Sequence, residues 1–364
     1  MKIKGLLINI LVLCVSLAGI FLILEFGIRL FLPSQRHSAM YASEKNGNHL
    51  VRPRLALRYN QKEFSHDIIS NSMGFRNRRE FVNDNLCLFI GDSFTFGSGV
   101  DEEEHYSSIF SRLVNWDAPT MNVCNAGVPG YSTVNEYLAL QEMIRKGLKI
   151  RRIILGVDIS DFNENPLYPI YDVLDGRLVF STKEKPGITV TLMNFFAANS
   201  ELVNFVYYRV VHSSVLKNLF SSATKLKYFD INLPDRNLQL FAEKKGSDAQ
   251  KKLDLFREYM EKIIDLCRGN GIDISVYYIP TIQEAYRDAY RDTLKTYRLD
   301  EKDYNLSSLN TFVREVCVKR GARFINIKDD IMKYNDERLY YTVDQHFNRL
   351  GNFVVGISLY RRFK

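Results

Sequence analysis

The stretch LCLFIGDSFTFG (residues 86–97) decides the fold of this chain. Its first five residues form a short, continuously apolar run, which predicts a strand buried on both faces of a parallel sheet. Gly91-Asp92-Ser93 follows at once, and the carboxylates of residues 101–104 then begin an amphipathic helix. A serine at a strand end exposes its hydroxyl beside backbone N–H groups, which is the environment that a nucleophile needs.

On either side of this stretch, apolar strands alternate with helical patterns. Further strands are predicted at residues 121–124, 153–157, 274–279 and 324–327, and helices at residues 133–146, 247–267, 309–316 and from about 348 onward. Strands separated by helices imply a parallel sheet that is covered on both faces. The sequence therefore predicts an α/β fold, a three-layer, mostly parallel, doubly wound sheet of five strands, with its chemistry beyond the carboxyl ends of the strands.

The N-terminus carries a long apolar stretch, residues 5–24, behind Lys2 and Lys4. At ~1.5 Å per residue, a helix of this length spans the roughly 30 Å hydrocarbon layer of a bilayer. No clean cleavage site follows, so the pattern favours an uncleaved transmembrane anchor at residues 1–33 over a signal peptide or a buried core helix. The two lysines favour a cytoplasmic N-terminus and an extracytoplasmic main domain, periplasmic or at the cell surface. The arginines that follow the span weaken this orientation; they are Arg29, Arg36, Arg52, Arg54 and Arg58.

The amino-acid composition excludes several other classes of protein. The chain has 364 residues, of which 46% are hydrophobic and 25% charged, and these values exclude a disordered, collagen-like or coiled-coil protein. Five cysteines without a C-x-x-C pair indicate neither a disulfide framework nor a zinc ribbon. We expect a stalk and lead-in at residues 34–80 and a catalytic domain at residues 81–364, with a helical, aromatic-rich insertion at about 164–246.

Three polar segments follow the first, second and fifth predicted strands. They contain Ser93, the glycine-bearing loop NAGVPGYS at residues 125–132, and the pair Asp344 and His346. A serine hydroxyl becomes a nucleophile when an imidazole takes its proton, and a carboxylate must hold that imidazole in the correct tautomer. Because all three segments follow strands of one sheet, we expect them to converge on a Ser-His-Asp triad.

At these residues the chain resembles the SGNH/GDSL hydrolase superfamily. Gly91-Asp92-Ser93 is similar to the family's first block, which implies that Ser93 is the nucleophile and that its N–H is one oxyanion donor. The loop at 125–130 is similar to the second block, which implies that Gly130 supplies another donor. Asp344 and His346 are similar to the last block, which supplies the acid and base of the triad. The anchor, followed by Gly-Phe-Arg at 74–76, resembles membrane-anchored bacterial members.

The chain departs from the family pattern in two places. The third block has an asparagine that donates to the oxyanion, and Ser160 occupies that position before Asp161. The resemblance therefore leaves two replacements for this donor, the Ser160 hydroxyl and the Asn163 amide. The family's usual Asp-x-x-His spacing is here Asp-x-His, which is similar to a subset that includes polysaccharide O-acetylation enzymes.

The sequence indicates no metal, cofactor or nucleic-acid partner. Asp158 and Asp161 have neither a histidine nor a third carboxylate at a ligand spacing. Glycine patterns that bind dinucleotides or phosphates are absent from the sequence. The formal net charge of +7 permits contact with anionic surfaces, but no nucleic-acid recognition motif accompanies it.

Two functions remain open at this stage. The first is a membrane-anchored serine esterase or O-acyltransferase that acts on an acyl ester, with a cell-surface glycan as the candidate substrate. The second is a catalytically weak or inactive module of the same fold that binds a polysaccharide or protein partner, a hypothesis that the altered third block motivates. The sequence leaves the acyl group, the acceptor and the oligomeric state open.

Overall fold

The computed structural model describes residues 2–31, 40–44, 46–61, 63–174, 176–181, 200–203, 205–206, 237–334 and 337–363. The chain divides into two compact units. One comprises Met1–Ser38 and Thr182–Lys225, and the other comprises Ala39–Ser181 and Leu226–Lys364. The helical segment predicted within the insertion at 164–246 lies largely outside the described residues.

The first unit contains helix α1 (Lys2–Phe31). Its stretch Ile8–Phe31 has a mean hydropathy of 2.5 and is only 6% buried, so the helix is long and apolar enough to cross a membrane, a test that a signal sequence also passes. Near its end, the Glu25 carboxylate accepts hydrogen bonds from the Ser200 hydroxyl at 2.7 Å and from the Leu202 N–H at 2.9 Å. This carboxylate therefore ties the start of the segment at residues 200–203 to α1.

The second unit begins with two β-hairpins in the segment expected to be a stalk and lead-in. Their strands are β1 (Tyr41–Ser43), β2 (His49–Val51), β3 (Ala56–Asn60) and β4 (Ser65–Ile69), paired antiparallel as β1 with β2 and β3 with β4. These strands are three to five residues long, too short to give a clear alternation of apolar and polar residues. The hairpins belong to the same compact unit as the central sheet.

A five-stranded parallel sheet forms the centre of this unit. Its elements in chain order are β5 (Leu86–Ile90), α2 (Ser93–Phe96), α3 (Tyr106–Val114), β6 (Asn122–Asn125), α4 (Thr133–Arg145), β7 (Ile150–Val157), α5 (Ile159–Glu164), the hairpin β8 (Tyr171–Leu174) and β9 (Arg177–Phe180), α6 (Ser247–Gly269), β10 (Asp273–Tyr278), α7 (Ile282–Ala285), α8 (Arg287–Tyr297), α9 (Ser308–Lys319), β11 (Arg323–Ile325), α10 (Lys328–Met332) and α11 (Arg349–Phe363). The strand order is β11-β10-β7-β5-β6, with every pairing parallel. The predicted α/β fold class is confirmed.

Strand β5 shows why the sheet has a layer of helices on each face. Leu88 and Ile90 belong to the core that includes residues of α4, α6 and α9, whereas Cys87 and Phe89 belong to the core that includes residues of α3 and α11. Side chains alternate across a strand, so a continuously apolar strand buries both faces. The strand predicted at 86–90 is confirmed at both ends.

The order of these strands places the site. Numbered by their sequence within the sheet, they lie in the order 2-1-3-4-5, the flavodoxin-like arrangement, whose switch point falls between β5 and β7. Ligands of open α/β sheets bind outside the carboxyl ends of the strands at that point. The segments that follow β5 and β7 contain Ser93 and Ser160.

Two predicted element boundaries are wrong for local reasons, and two helices were not predicted. The helix expected from residue 101 begins as a short 3₁₀ turn, Glu102–Glu104, and α3 starts only at Tyr106, because His105 is extended and its Nδ1 accepts the Ser107 N–H at 3.2 Å. The strand expected at 324–327 ends at Ile325, since Ile327 has helical dihedrals and is the N-cap residue of α10. Helices α7 and α8, of four and eleven residues and separated by the extended Tyr286, were not predicted.

Candidate active site

Ser93 is the first residue of α2, a single helical turn directly after β5. The Asp92 carboxylate caps this turn by accepting the Phe94 N–H at 2.9 Å. At the other end Gly97 adopts a left-handed conformation, with φ of 88°, which a glycine adopts without steric cost. The sequence Asp-Ser-x-x-x-Gly therefore begins and ends a turn that presents the Ser93 side chain at the sheet edge.

His346 lies within hydrogen-bond reach of that serine. Its Nε2 is 2.7 Å from Ser93 Oγ, although the two residues are 253 positions apart. Its Nδ1 is hydrogen-bonded to Asp344 Oδ1. This arrangement corresponds to the tautomer in which Nδ1–H donates to the carboxylate and Nε2 accepts the serine proton. The structure thus brings together the three residues predicted to form the triad.

The short Asp-x-His spacing depends on the residue between the two side chains. Gln345 has φ of +68°, in the left-handed region that residues other than glycine rarely adopt. With Gln345 in this conformation, the Asp344 carboxylate is hydrogen-bonded to Nδ1 of His346, only two positions away. Backbone strain of this kind clusters at functional sites and persists only where the surroundings fix it.

The charges around His346 make its imidazole more basic. Burial lowers the pKa of its imidazole, but the charge and the hydrogen bond of Asp344 raise it, as do the charges of Asp92 and Asp158, so that the pKa lies above its ordinary value. A raised pKa makes the ring a stronger base toward the serine hydroxyl. The Phe94 ring, with its centroid 4.8 Å from that of His346, covers one side of the imidazole.

Asp92 contacts both Ser93 and Ser160. Its Oδ2 lies 3.3 Å from both Ser93 Oγ and Ser160 Oγ. Burial, and then the neighbouring Asp158, raises the pKa of Asp92 to about 7. Asn163 is engaged elsewhere, since its Nδ2 donates to Asn237 Oδ1 at 2.8 Å. Of the two residues considered as third oxyanion donor, Ser160 shares the Asp92 carboxylate oxygen with Ser93, whereas the Asn163 amide is bound to Asn237.

Gly130 lies in a turn of the second block, where the Tyr131 N–H donates to the Val128 carbonyl. The Val128 N–H donates to the Gly91 carbonyl at 3.0 Å, which ties this loop to the segment before Ser93. Gly130 has φ of +79°, and a Cβ there would lie 2.9 Å from the Tyr171 ring, so the position requires glycine. Among the described residues, no hydrogen bond is donated by the N–H of Ser93 or of Gly130.

Arg76 supports the nucleophile segment and was not assigned a role from the sequence. Its guanidinium is buried and donates to the carbonyls of Phe96 and Gly97 at 2.8 and 2.5 Å, and to those of Asp67 and Val100 at 3.0 and 2.6 Å. These bonds join the lead-in to the segment after α2. The only signal in the sequence was the Gly-Phe-Arg motif at 74–76.

Several further carboxyls lie buried around Asp92. They are Glu136, Asp158, Asp161 and Glu164. Burial raises the pKa of each, and their mutual repulsion raises it further for Glu136, Asp161 and Glu164. Within the described part of the chain, no group of three or more histidine, cysteine, aspartate or glutamate residues is arranged to hold a metal ion.

Comparisons with known proteins find similarity at the level of structure. No protein-family model matches the chain and no curated protein is significantly similar to it. Similar solved structures include a member of the lipolytic G-D-S-L family from Veillonella parvula DSM 2008, with 10% identity and a TM-score of 0.42, covering 76% of this chain and 97% of that chain. The acetyl xylan esterase AlAXEase has 12% identity and a TM-score of 0.41, covering 77% of this chain and 100% of the other.

A third similar structure is Axe2, an acetylxylan esterase from Geobacillus stearothermophilus, with 11% identity, a TM-score of 0.41, and coverage of 76% of this chain and 93% of that one. Identities near 10% and TM-scores near 0.4 are too low to assign an activity, so the chemistry has to be derived from the site itself.

Proposed function

We propose that the chain is a membrane-anchored serine esterase or O-acyltransferase. The observation that carries this proposal is the contact of Ser93 Oγ with His346 Nε2 at 2.7 Å, while Asp344 binds the other ring nitrogen. This is the arrangement that makes a hydroxyl nucleophilic and returns its proton to a leaving group.

The first half of the reaction acylates the enzyme. Ser93 Oγ attacks the carbonyl carbon of an acyl ester as its proton passes to His346 Nε2, and the carbonyl π electrons move to the oxygen. The N–H groups of Ser93 and Gly130, with the Ser160 hydroxyl, donate to that oxyanion. The intermediate collapses, the alkoxide leaves with the proton from His346, and the acyl group stays on Ser93.

The second half transfers the acyl group to an acceptor. His346 takes a proton from water or from a sugar hydroxyl, the acceptor oxygen attacks the acyl carbon, and Ser93 leaves as its alcohol with that proton. Water gives a carboxylic acid and a sugar hydroxyl gives a new ester. The Asp-x-His spacing, similar to that of polysaccharide O-acetylation enzymes, supports a glycan as donor or acceptor.

The proposal is tested by labelling the detergent-solubilised full chain with a fluorophosphonate, which reacts with activated serines. We expect labelling of the parent, none of Ser93→Ala, and strongly reduced labelling of His346→Ala. Ser98→Ala is the matched control, because Ser98 lies just after α2 and outside the triad. This variant should be labelled like the parent. Labelling that persists in Ser93→Ala would refute the assignment.

A second candidate is a non-catalytic module that binds a polysaccharide or protein partner in the same cleft. Ser160 at the family's asparagine position favours it, because one strong oxyanion donor is replaced by a hydroxyl. Turnover of p-nitrophenyl acetate that is lost in His346→Ala excludes this candidate. Adding neutral oligosaccharides to the same assay distinguishes an esterase from an O-acyltransferase. A transferase forms acetylated sugar, whereas an esterase releases only acetate.

We further propose that α1 anchors the protein with its N-terminus in the cytoplasm and the sheet domain outside it. The length and apolarity of Ile8–Phe31 and the two lysines before it support this orientation. A C-terminal alkaline phosphatase fusion, which folds only outside the cytoplasm of a bacterial host, should be active. An inactive phosphatase, together with fluorescence of a cytoplasmic green fluorescent protein fusion, would reverse the orientation.

A further inference from the structure

Glu63 binds the segment that carries the acid and base of the proposed triad. It lies in the turn between β3 and β4, and its carboxylate accepts three consecutive backbone N–H groups. The Thr342 N–H donates to Oε1 at 3.0 Å, and the N–H groups of Val343 and Asp344 donate to Oε2 at 2.9 and 2.8 Å. Successive N–H groups that converge in this way form a concave anion site, and here a carboxylate of the same chain fills it.

The geometry that follows this contact is strained. Asp344 is the last of the three donors, and the left-handed Gln345 comes directly after it. Strained backbone persists only where its surroundings fix it. Hydrogen bonds to a charged acceptor are about twice as strong as neutral ones, so the carboxylate is suited to hold this segment.

The turn between β3 and β4 also connects the segment 341–344 to the loop that follows α2. The ring of Phe64, next to Glu63, lies 4.9 Å from that of Tyr341 between centroids. The Tyr341 hydroxyl donates to the Gly99 carbonyl at 2.8 Å, in the loop after α2. The β3–β4 turn therefore contacts the segment 341–344, and that segment contacts the loop that follows Ser93.

We propose that Glu63 is a positioning residue, whose carboxylate fixes the backbone of residues 342–344 and so aligns Asp344 with His346 and His346 with Ser93. This inference rests on the proposed function. Glu63 touches neither the triad side chains nor a substrate, and it acts through the backbone of the acid. The lead-in hairpin is in this view a part of the catalytic apparatus.

The test is the rate of fluorophosphonate inactivation of the full chain as a function of pH, compared between the parent, Glu63→Ala and Glu63→Gln. Misplacement by about 1 Å can cost 10²-fold, so we expect inactivation of Glu63→Ala to be roughly 10- to 100-fold slower. Its pH midpoint should also fall, because an Asp344 that is misaligned raises the pKa of His346 less. Glu63→Gln should be intermediate, since its amide oxygen still accepts.

Glu80→Gln is the matched control. Glu80 is another lead-in carboxylate that accepts a backbone N–H, that of Ser72 at 3.1 Å, and it does not contact the segment 342–344. We expect the parent's rate and midpoint in this variant. Parent-like values in Glu63→Ala, or in Glu63→Gln if the alanine variant does not fold, would overturn the proposal.

Failure of the proposed function gives a different result. In that case the parent itself is not labelled, or Ser93→Ala is labelled equally. The pKa of His346, followed by NMR of the histidine ring, then tests Glu63 without any reaction. A lower pKa in Glu63→Gln than in Glu80→Gln supports the positioning role, and equal values contradict it.

Discussion

At the scale of single residues, Ser160, the proposed third oxyanion donor, is the point where this chain differs most from the family it resembles. Ser160 Oγ and Ser93 Oγ lie at the same distance, 3.3 Å, from one oxygen of Asp92. A hydroxyl rotates freely about its C–O bond, so it can turn from the carboxylate to an oxyanion that forms beside Ser93. An asparagine amide would have two donors in a fixed plane.

We therefore predict that Ser160→Ala lowers kcat for p-nitrophenyl acetate by roughly 10²-fold, the loss expected for one oxyanion donor. The KM should change little, because the interaction strengthens only in the transition state. Steady-state kinetics of the purified full chain measure both constants.

The control for this prediction is Asn163→Ala. The Asn163 amide is bound to Asn237 and is buried, so the variant should lose thermal stability while kcat per folded molecule stays close to that of the parent. If Ser160→Ala keeps the parent's kcat while Asn163→Ala loses it, the roles assigned to these two residues are reversed.

At the scale of elements, the position of α2 depends on the close approach of the second block. A Cβ at Gly127 would lie 2.4 Å from the Phe96 nitrogen and 2.6 Å from the Thr95 carbonyl carbon, both in the backbone of α2. Backbone atoms cannot move aside as the end of a flexible side chain can. Glycine at 127 is what allows this loop to pack directly against the turn that carries Ser93.

Gly127→Ala should therefore displace α2 from the loop. We expect the free energy of unfolding to fall by about 1–3 kcal/mol, as for an overpacked core, and fluorophosphonate labelling to slow. Thermal unfolding and labelling rates measure the two effects. Gly246→Ala is the control, because no atom lies within 4 Å of a Cβ there, and its labelling rate should equal the parent's. A Gly127→Ala variant that labels at the parent rate would show that α2 tolerates the shift.

The elements also show how far the sequence could predict this structure. Strand β5 and the polar residues that follow it could be predicted, because a continuously apolar run and a strand-end serine are local patterns. The convergence of Ser93 and His346 could be predicted from the parallel topology. The lead-in hairpins could not, because strands of three to five residues carry little periodicity.

The contacts that support the candidate triad could not be predicted from the sequence either. Glu63 binds backbone N–H groups 279 to 281 positions away, and a charged residue in a turn gives no sign of such a partner. The left-handed Gln345 is also unexpected, since its residue type does not favour that conformation. The sequence therefore predicted the side chains of the candidate triad, whereas the contacts that hold them in place are tertiary.

At the scale of the whole molecule, buried carboxyls link stability to pH. Burial, and then the charges of Asp158 and Asp92, raises the pKa of Glu164 to about 8. In the unfolded chain the same group titrates near 4.5. The folded state therefore binds its proton more tightly, and the resulting stability is fully present below pH 4.5 and is lost as the pH rises through about 8.

Glu164→Gln keeps the shape of the side chain and removes its titration. As the pH rises from 5 to 8, we expect the midpoint temperature of unfolding of the parent to decrease, and that of Glu164→Gln to decrease less steeply. The reason is that each such group changes the free energy of unfolding by up to about 1.4 kcal/mol per pH unit. Thermal unfolding of the full chain at a series of pH values measures the two slopes. Glu258→Gln, an exposed carboxylate paired with Lys262, is the control and should keep the parent's slope. Equal slopes in all three proteins would mean that Glu164 is solvated in the folded state and that burial does not raise its pKa.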